Sequence, residues 1–178
     1  MPIIGDVFGL TSIYEKQVEN IDNNNFESWP ESATYGYFGA GFSPTGQVTT
    51  VDRIDFSNET TSAPGNNLSP PTKYYVAALS SSSYGYFGGG NAPPSVDTID
   101  RIDFSNETTS APGNNLTQAR DSLGACSSSS YGYFGGGFSN PPVIYHNTID
   151  RIDFSNETIS LPGENLPQAR SYLAAVSN

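Results

Sequence analysis

Residues 131–158 read YGYFGGGFSNPPVIYHNTIDRIDFSNET, and the chain carries this stretch three times in closely related form. The copies begin at Tyr35, Tyr84 and Tyr131, 49 and 47 residues apart. A unit of this length is one supersecondary element that cannot bury its own apolar face, so neighbouring copies must pack together to make a core. The chain therefore divides into an N-terminal segment, 1–34, and three repeats, 35–83, 84–130 and 131–178.

The composition favours an all-β fold. Aromatic residues make up 12% of the 178 residues and charged residues only 14%, while glycine and proline are frequent. Such a composition is typical of short strands joined by tight turns. The patterned apolar and aromatic residues can bury enough surface to offset the cost of ordering, which argues against a disordered chain.

The charge of the chain excludes some partners. The formal net charge is −11 and the isoelectric point is about 4.1, which opposes both nucleic acid and anionic membrane surfaces. No apolar run has the length of a membrane span, and the start of the sequence lacks the basic and apolar regions of a secretory signal. We expect no nucleic-acid partner, no membrane insertion and, with Cys126 as the single cysteine, no disulfide within the chain.

The N-terminal segment contains one helical pattern. Apolar residues recur at helical spacing over residues 12–22, and Ser12 with Glu15 forms a capping-box pattern. So short a helix is marginal alone, so its apolar stripe should dock either on the protein's own repeats or on a sister chain or larger assembly. The residues that we assign to this contact are Ile13, Tyr14, Val18 and Trp29.

The sequence of each repeat predicts four short strands. Tyr84–Phe87 alternates aromatic with small residues and runs into a glycine run, where the backbone must turn or pass close to a neighbour. In the next strand Ile102 and Phe104 share one face, and we expect that face to be buried. A turn at SNET, a short Thr-Ser-Ala strand and a strand at LGACS complete the unit.

Six of the seven lysine and arginine residues fall at two equivalent positions in each repeat. An identical cation at each repeat indicates structural ion pairs rather than substrate contact. The arginine of DRID lies between two aspartates, so it should pair within its own strand region or with the neighbouring repeat. The residues assigned to these pairs are Arg53, Arg101, Arg151, Asp52, Asp100, Asp150, Asp55, Asp103 and Asp153.

Catalytic and metal-binding patterns were not found in the sequence. His146 is the single histidine, so a Ser-His-Asp triad, a Cys-His pair or a histidine-rich metal site would depend on that residue alone. The repeated carboxylates lie beside arginine, which keeps them ionised and makes them poor general acids. The glycine run lacks a phosphate-binding pattern, and the aspartates lack the close spacing of a calcium loop. We predict that the protein is not an enzyme and has no cofactor and no metal.

The three loops after the glycine runs differ in length and content, whereas the strands are nearly copied. Variable loops on one face of a repeat array are the usual place for recognition, and aromatic side chains there can stack on a sugar ring. Connecting loops or contacts between subunits are the alternative interpretation. The candidate recognition residues are Phe42, Asn91, Phe138, Tyr145 and His146.

The order QAR, apolar strand, YGYFGGG, loop and TIDRIDFSNET resembles the kelch blade of β-propellers. Gly88 and Gly89 match the glycine doublet of that family, and Phe104 matches the aromatic of the later strand. The family's tryptophan near the end of the blade is replaced here by Thr108 or Thr109. The resemblance implies an all-β fold of three kelch-like, β-propeller-type blades of about 48 residues, following a short N-terminal helical extension.

A closer resemblance is to fibre and neck appendage proteins of tailed phages of marine bacteria. It is carried by GDVFGLTSIYEKQVEN, NFESWP, YGYFGGG, TIDRIDFSNET and QARSYLAAVSN. It implies a non-enzymatic virion structural protein of a tail fibre or neck, assembled in the host cytoplasm with other virion proteins, with a cell-surface glycan as a further partner. The alternative is a self-assembling extracellular filament subunit, glycosylated at its Asn-X-Thr or Asn-X-Ser sequons.

The array of repeats begins one strand into a blade and ends on the first strand of the next blade. The first repeat begins at YGYF without the preceding strand, and the last ends on that strand, RSYLAAVSN. Three blades are few for a closed ring, and exposed strand edges are a liability unless paired. The strand containing Leu173 and Val176 should complete the first repeat of its own chain or of another copy, and exchange between copies would give a homo-oligomeric ring or fibre.

Overall fold

The computed structural model describes residues 33–177, and these residues form an all-β fold without helix. The predicted all-β class is therefore confirmed. The predicted helix near residues 12–22 and the residues Ile13, Tyr14, Val18 and Trp29 lie outside the described part. A compact unit begins at Tyr35, the first residue of the first repeat.

Three antiparallel sheets follow one another along the chain. The first contains β1 (Tyr35–Ser43), β2 (Gly46–Asp55) and β3 (Thr60–Ser62), in that order. The second contains β4 (Ala77–Ser80), β5 (Tyr84–Gly88), β6 (Ile99–Asp103) and β7 (Thr109–Ser110). The third, in the order β13-β12-β9-β8, contains β8 (Gly124–Ser127), β9 (Tyr131–Gly135), β12 (Ile149–Asp153) and β13 (Ile159–Ser160), and β10 (Phe138–Ser139) and β11 (Ile144–Tyr145) form a separate hairpin.

The second and third sheets each begin one strand earlier than the repeat in the sequence. The strand before YGYF pairs with the YGYF strand that follows it, as Leu79 does with Tyr86 and Cys126 with Tyr133. In the first sheet β1 is an edge strand within the described residues, because the first copy of the sequence starts at YGYF. The first sheet thus has three strands, whereas the second and third have four.

The core lies between neighbouring sheets. Ile102 and Ile152 have no exposed surface, as expected for the inward face of the DRID strand, while Phe104 is half-buried and stacks on Tyr37 with ring centroids 5.4 Å apart. Gly89 has a φ of +66°, and a Cβ there would lie 2.5 Å from the carbonyl oxygen of Arg120. The glycine run therefore allows the next segment to cross the end of the strand at close range.

Candidate functional site

The arginines of the DRID strands join adjacent sheets through glutamate. Arg53 Nη1 lies 2.7 Å from Glu107 Oε1, and Arg101 Nη1 lies 2.7 Å from Glu157 Oε1. Arg101 also lies over the Tyr84 ring, 4.4 Å from its centroid. The predicted link to a neighbouring repeat is thus present, but the partner is the Glu of SNET rather than a flanking aspartate.

A tyrosine hydroxyl joins each of these ion pairs. Tyr37 donates to Glu107 Oε1 over 3.0 Å, and Tyr86 donates to Glu157 Oε1 over the same distance. Burial, together with the bond to the nearby carboxylate, raises the pKa of Tyr37 to about 12 and raises the pKa of Tyr86 further. Both hydroxyls therefore stay protonated and remain donors over the whole physiological range.

The aspartate two residues after each DRID arginine closes a turn instead of binding the arginine. Asp103 Oδ1 accepts from the hydroxyl of Ser105 at 2.6 Å and from its backbone N–H at 2.8 Å. These bonds lower the pKa of the Asp103 carboxyl, with the serine hydroxyl as the larger cause. Asp55 and Asp153 do the same with their own serines. The expected ion-pair role of Asp55, Asp103 and Asp153 is therefore corrected, because a local hydrogen-bond donor two residues away satisfies the carboxylate.

Two of the three aspartates that precede these arginines do form ion pairs, with the second set of cations. Lys73 Nζ lies 2.6 Å from Asp100 Oδ2, and Arg120 Nη2 lies 2.7 Å from Asp150 Oδ2. Both pairs are buried, and the Arg120–Asp150 pair has no exposed side-chain surface. Arg120 also donates from Nη2 to the Phe134 carbonyl and from Nη1 to the Thr148 carbonyl, whereas its buried Nε has no hydrogen-bond partner among the described residues.

The same positions at the two ends of the array are left without these partners. Arg151 donates to Ser160 Oγ over 3.2 Å, and no carboxylate lies within 4.0 Å of it in residues 33–177. Arg170 and Asp52 are exposed, unlike their buried equivalents Arg120 and Asp150. Arg151 and Arg170 at one end of the described array, and Asp52 at the other, thus lack the ion-pair partners that their equivalents have.

Six aromatic side chains form a continuous row that runs from β1, through tyrosines outside the strands, to the β10–β11 hairpin. Successive ring centroids lie 4.5 to 6.1 Å apart. Four of the six rings have half or more of their surface exposed. The aromatic row consists, in order, of Phe42, Tyr74, Tyr75, Tyr172, Phe138 and Tyr145.

Backbone geometry at one repeated position brings the centre of the row together. Tyr75, Ser122 and Tyr172 occupy equivalent places, each with φ between 55° and 58°. The Ser122 N–H donates to the Tyr75 carbonyl, and the Tyr172 N–H donates to the Ser122 carbonyl. Because the middle member is a small, buried serine, the rings of Tyr75 and Tyr172 approach to 5.8 Å.

The predicted recognition residues fall into two groups. Phe42, Phe138 and Tyr145 belong to the aromatic row. Asn91 donates to buried Asp121 over 3.1 Å, and His146 Nε2 lies 3.2 Å from Ser139 Oγ, so both hold the loops in place. Burial and the charge of Arg120 lower the pKa of His146, which keeps it neutral at physiological pH.

Sequence reasoning missed Tyr74, Tyr75 and Tyr172. They precede the apolar strands, outside the variable loops, and the chain alone does not reveal that this segment returns to the loop edge of the preceding sheet. The available signal was the tyrosine at the same place in KYYV and RSYL.

The described residues contain no cluster of His, Cys, Asp or Glu that could hold a metal ion. Over the same residues, no helix is long and apolar enough to cross a membrane. The features that stand out for binding are therefore the aromatic row and the ion-pair positions without partners at the ends of the described array. No protein-family model matches the chain, and no curated protein matches it.

Proposed function

We propose that the protein is a non-enzymatic structural subunit of a phage virion appendage, a fibre or a neck or tail component. Its kelch-like sheets stack as propeller-type blades, and the aromatic row contacts a glycan on the host surface. The observation that carries the binding role is the row itself, six neighbouring rings on one edge of the described repeats. Exposed apolar surface of this kind marks interaction sites.

The stacking of the sheets supports the structural role. The Arg-Glu-Tyr arrangement between the first and second sheets recurs between the second and third, with matching distances. Each sheet thus contacts its neighbours through one repeated interface, as blades and solenoid repeats do. A rigid array of this kind suits a spacer or appendage, in which stiffness serves the presentation of a binding edge.

The chemistry of the aromatic row favours a carbohydrate ligand. Tyrosine rings present apolar faces for the C–H groups of a sugar, and their hydroxyls can bond the sugar hydroxyls. The protein's net charge of −11 disfavours strongly acidic polysaccharides. We therefore expect a neutral or weakly charged glycan.

The binding role is tested with Tyr75→Ala and Tyr172→Ala. Each should reduce binding of the purified protein to surface polysaccharide from the host strain by about 2- to 10-fold, in line with the usual worth of an aromatic contact. Leu161→Ala, an exposed apolar residue outside the variable loops and the aromatic row, is the matched control. Equal binding by all three variants would contradict the glycan contact.

The virion role is tested by deleting residues 1–30. If this segment attaches the subunit, particles should lack the deleted protein while its repeats remain folded by circular dichroism. Mass spectrometry of purified virions measures incorporation, with the full-length chain as control. Full incorporation of the deleted chain would contradict attachment through this segment.

The alternative function is an extracellular filament subunit carrying glycans. Asn58, Asn106 and Asn156 lie in exposed turns, where each side-chain oxygen accepts from the backbone N–H of the threonine two residues later. These turns are accessible to a glycan, but their hydrogen bonds also explain the asparagines simply as residues that form turns. Intact-mass measurement of the native protein distinguishes the two, since glycosylation adds mass at these sites.

A further inference from the structure

We propose that residues 174–177 of one chain form the missing fourth strand of the first sheet of a second copy, so that copies join head to tail. The junction would repeat the two interfaces that already join the sheets within the chain. It rests on the proposed structural role, for which it specifies how copies of the chain join and which residues make the contact.

The acceptor is a cleft of about 260 Å³ between the first and second sheets. It is lined by Tyr35–Tyr37 of β1 on one side and by Ala78–Ser80 of β4 on the other, with Gly85 at its base. The edge of β1 that faces away from β2 is unpaired in the described residues. In the second and third sheets the corresponding position is occupied by β4 and β8.

The donor is the segment equivalent to those two strands. Residues 174–177 align with Ala77–Ser80 and Gly124–Ser127, yet they are not paired in a sheet within the described chain. Val176, the equivalent of buried Leu79, is 92% exposed. The segment is anchored just before this point, because the Tyr172 N–H bonds the Ser122 carbonyl and Leu173 contacts Gly124.

The internal sheets predict where the Val176 side chain goes. Leu79 of the second sheet lies against Gly132 of the third, where an added Cβ would be 2.6 Å from it. Gly85 is the equivalent of Gly132 and lines the cleft. If residues 174–177 pair with β1 of the second copy in the register in which β4 pairs with β5, Val176 lies opposite Tyr37 of that copy. Its side chain then lies above Gly85 of the same copy.

The charges at the two ends of the array are complementary. Arg151 occupies the position of Arg53 and Arg101, and Glu59 that of their partners Glu107 and Glu157. Arg170 and Asp52 likewise occupy the positions of the buried pair Arg120–Asp150. A head-to-tail contact would therefore place two cations opposite two carboxylates, although the chain as a whole is strongly acidic.

The apolar surfaces are complementary as well. Phe38 is 63% exposed, whereas its equivalent Phe87 is 3% exposed and lies 2.8 Å from the Cβ position of Gly39. At the other end of the array, Gly135 has no atom within 3.6 Å of its Cβ position. Phe38 of one copy would fill the space beside Gly135 of the next.

A second copy is favoured over the chain's own terminus as the occupant. The second sheet lies between the first and the third in the packing order, and the described strands do not form a closed ring. The donor segment is anchored on the third sheet, whereas the cleft lies between the first and second. The exposed charges and the exposed Phe38 each have a complementary group at the opposite end of the array, as heterologous assembly requires.

One position departs from the pattern and provides a sharp test. Asn66 Nδ2 donates to the Glu107 carbonyl over 2.9 Å, and Asn114 Nδ2 donates to the Glu157 carbonyl over 3.0 Å. The third repeat has Glu164 there, an acceptor that cannot make this bond. Glu164→Asn should supply the missing bond and tighten the assembly about 2- to 10-fold.

The contact is tested by measuring the mass of the full 178-residue chain over a range of concentrations. The wild type should form oligomers, as a closed ring or an open fibre. Val176→Asp should weaken the assembly at least about tenfold, because it places a carboxylate in the apolar cleft. Ser177→Asp is the matched control, since its equivalent Ser80 is exposed, and it should assemble normally.

Charge exchange identifies the partner surface. Arg151→Glu and Glu59→Arg should each weaken assembly about tenfold, because like charges would face each other. The two changes combined in one chain should restore it, and so should an equal mixture of the single variants. A monomeric wild type, an assembly indifferent to Val176→Asp, or a failure of the combined variant to recover with all variants folded would overturn the junction.

These outcomes are independent of the virion role. Assembly in solution with no protein in virions would leave the junction standing and overturn the proposed appendage. Virions that contain the protein as isolated copies would leave the proposed appendage standing and overturn the junction. Assembly that requires residues 1–32 but not 174–177 would place the contact in the N-terminal segment and overturn the strand addition.

Discussion

Equivalent residues in the three repeats have different surroundings, and their expected roles differ accordingly. Asp150 is fully buried with Arg120, whereas Asp52, at the same place in the first repeat, is exposed. The difference arises because sheets cover the Arg120–Asp150 pair on both sides, while Asp52 lies at the end of the described array. Identical sequence therefore does not imply an identical energetic contribution.

Asp150→Ala should lower the free energy of unfolding by about 3–5 kcal/mol, because it leaves the buried guanidinium of Arg120 without its counter-charge. Asp52→Ala is the matched control and should change stability by less than about 0.5 kcal/mol in the monomeric chain. Urea denaturation of the two variants at low protein concentration provides the comparison. Equal effects at both positions would argue against a buried ion pair.

The turn aspartates predict how stability depends on pH. The folded-state pKa of Asp103 is lowered from its ordinary value of 3.8. Its bonds to Ser105 therefore stabilise the fold fully above pH 3.8, and this stabilisation is lost as the pH falls towards the folded-state pKa. The melting temperature should therefore drop on acidification below 3.8. The triple variant with Asn at positions 55, 103 and 153 retains an acceptor but does not titrate there, so its drop should be smaller. An equally steep drop in both proteins would assign the acid sensitivity to other groups.

At the scale of the strand, the small residues of YGYFG control how closely the sheets pack. A Cβ on Gly88 of β5 would lie 2.7 Å from the ring of Phe134 in the next sheet. At its equivalent in β9, Gly135, the nearest atom to a Cβ would be Ile149 Cγ1 at 3.6 Å, an ordinary van der Waals contact. The alternation of aromatic and glycine residues therefore serves the interface between sheets as much as the pairing within one sheet.

Gly88→Ala should destabilise the chain by about 1–3 kcal/mol, because the added methyl group overpacks the interface. Gly135→Ala adds the same methyl group at ordinary contact distance from its neighbours, so it should leave the monomer's stability nearly unchanged. It should nevertheless weaken head-to-tail assembly, since Phe38 of the next copy would meet it. Thermal melting at low concentration and mass measurement at high concentration separate the two effects.

At the scale of the whole molecule, the described repeats form a stack with an inner member and two outer ones. The YGYFG strand of the second sheet has four buried residues of five, whereas the strand of the first sheet has none classed as buried. Stability in such an array depends on contacts between nearest neighbours. Within the described residues, the first sheet has a neighbouring sheet on one side only and lacks a fourth strand.

Amide hydrogen exchange should therefore be slowest in β5 and β6 and faster in β1 and β2 of the monomer. On assembly, protection should rise most in β1 and over residues 174–177, because these backbones would gain hydrogen-bond partners. Mass spectrometry on dilute and concentrated samples measures both. Unchanged exchange in β1 on oligomer formation would indicate a contact elsewhere.

The sequence was sufficient for the all-β class and for the existence of the strands in the second repeat, because alternation and glycine-bounded runs are local signals. Burial of Ile102 followed from the same alternation. The recurrence of the cations also indicated ion pairs. The propeller arrangement, the virion role and the assembly remain proposals.

Only the tertiary structure decided which acid each cation meets and which side chains form the aromatic row. The partner of Arg101 lies 56 residues away, in the turn after β12, and the row joins Phe42 to Tyr145 through three tyrosines and Phe138. Such contacts depend on how far one sheet is displaced against the next. A local pattern determines the strand and its faces, but the neighbour that a face meets is set by packing over long sequence separations.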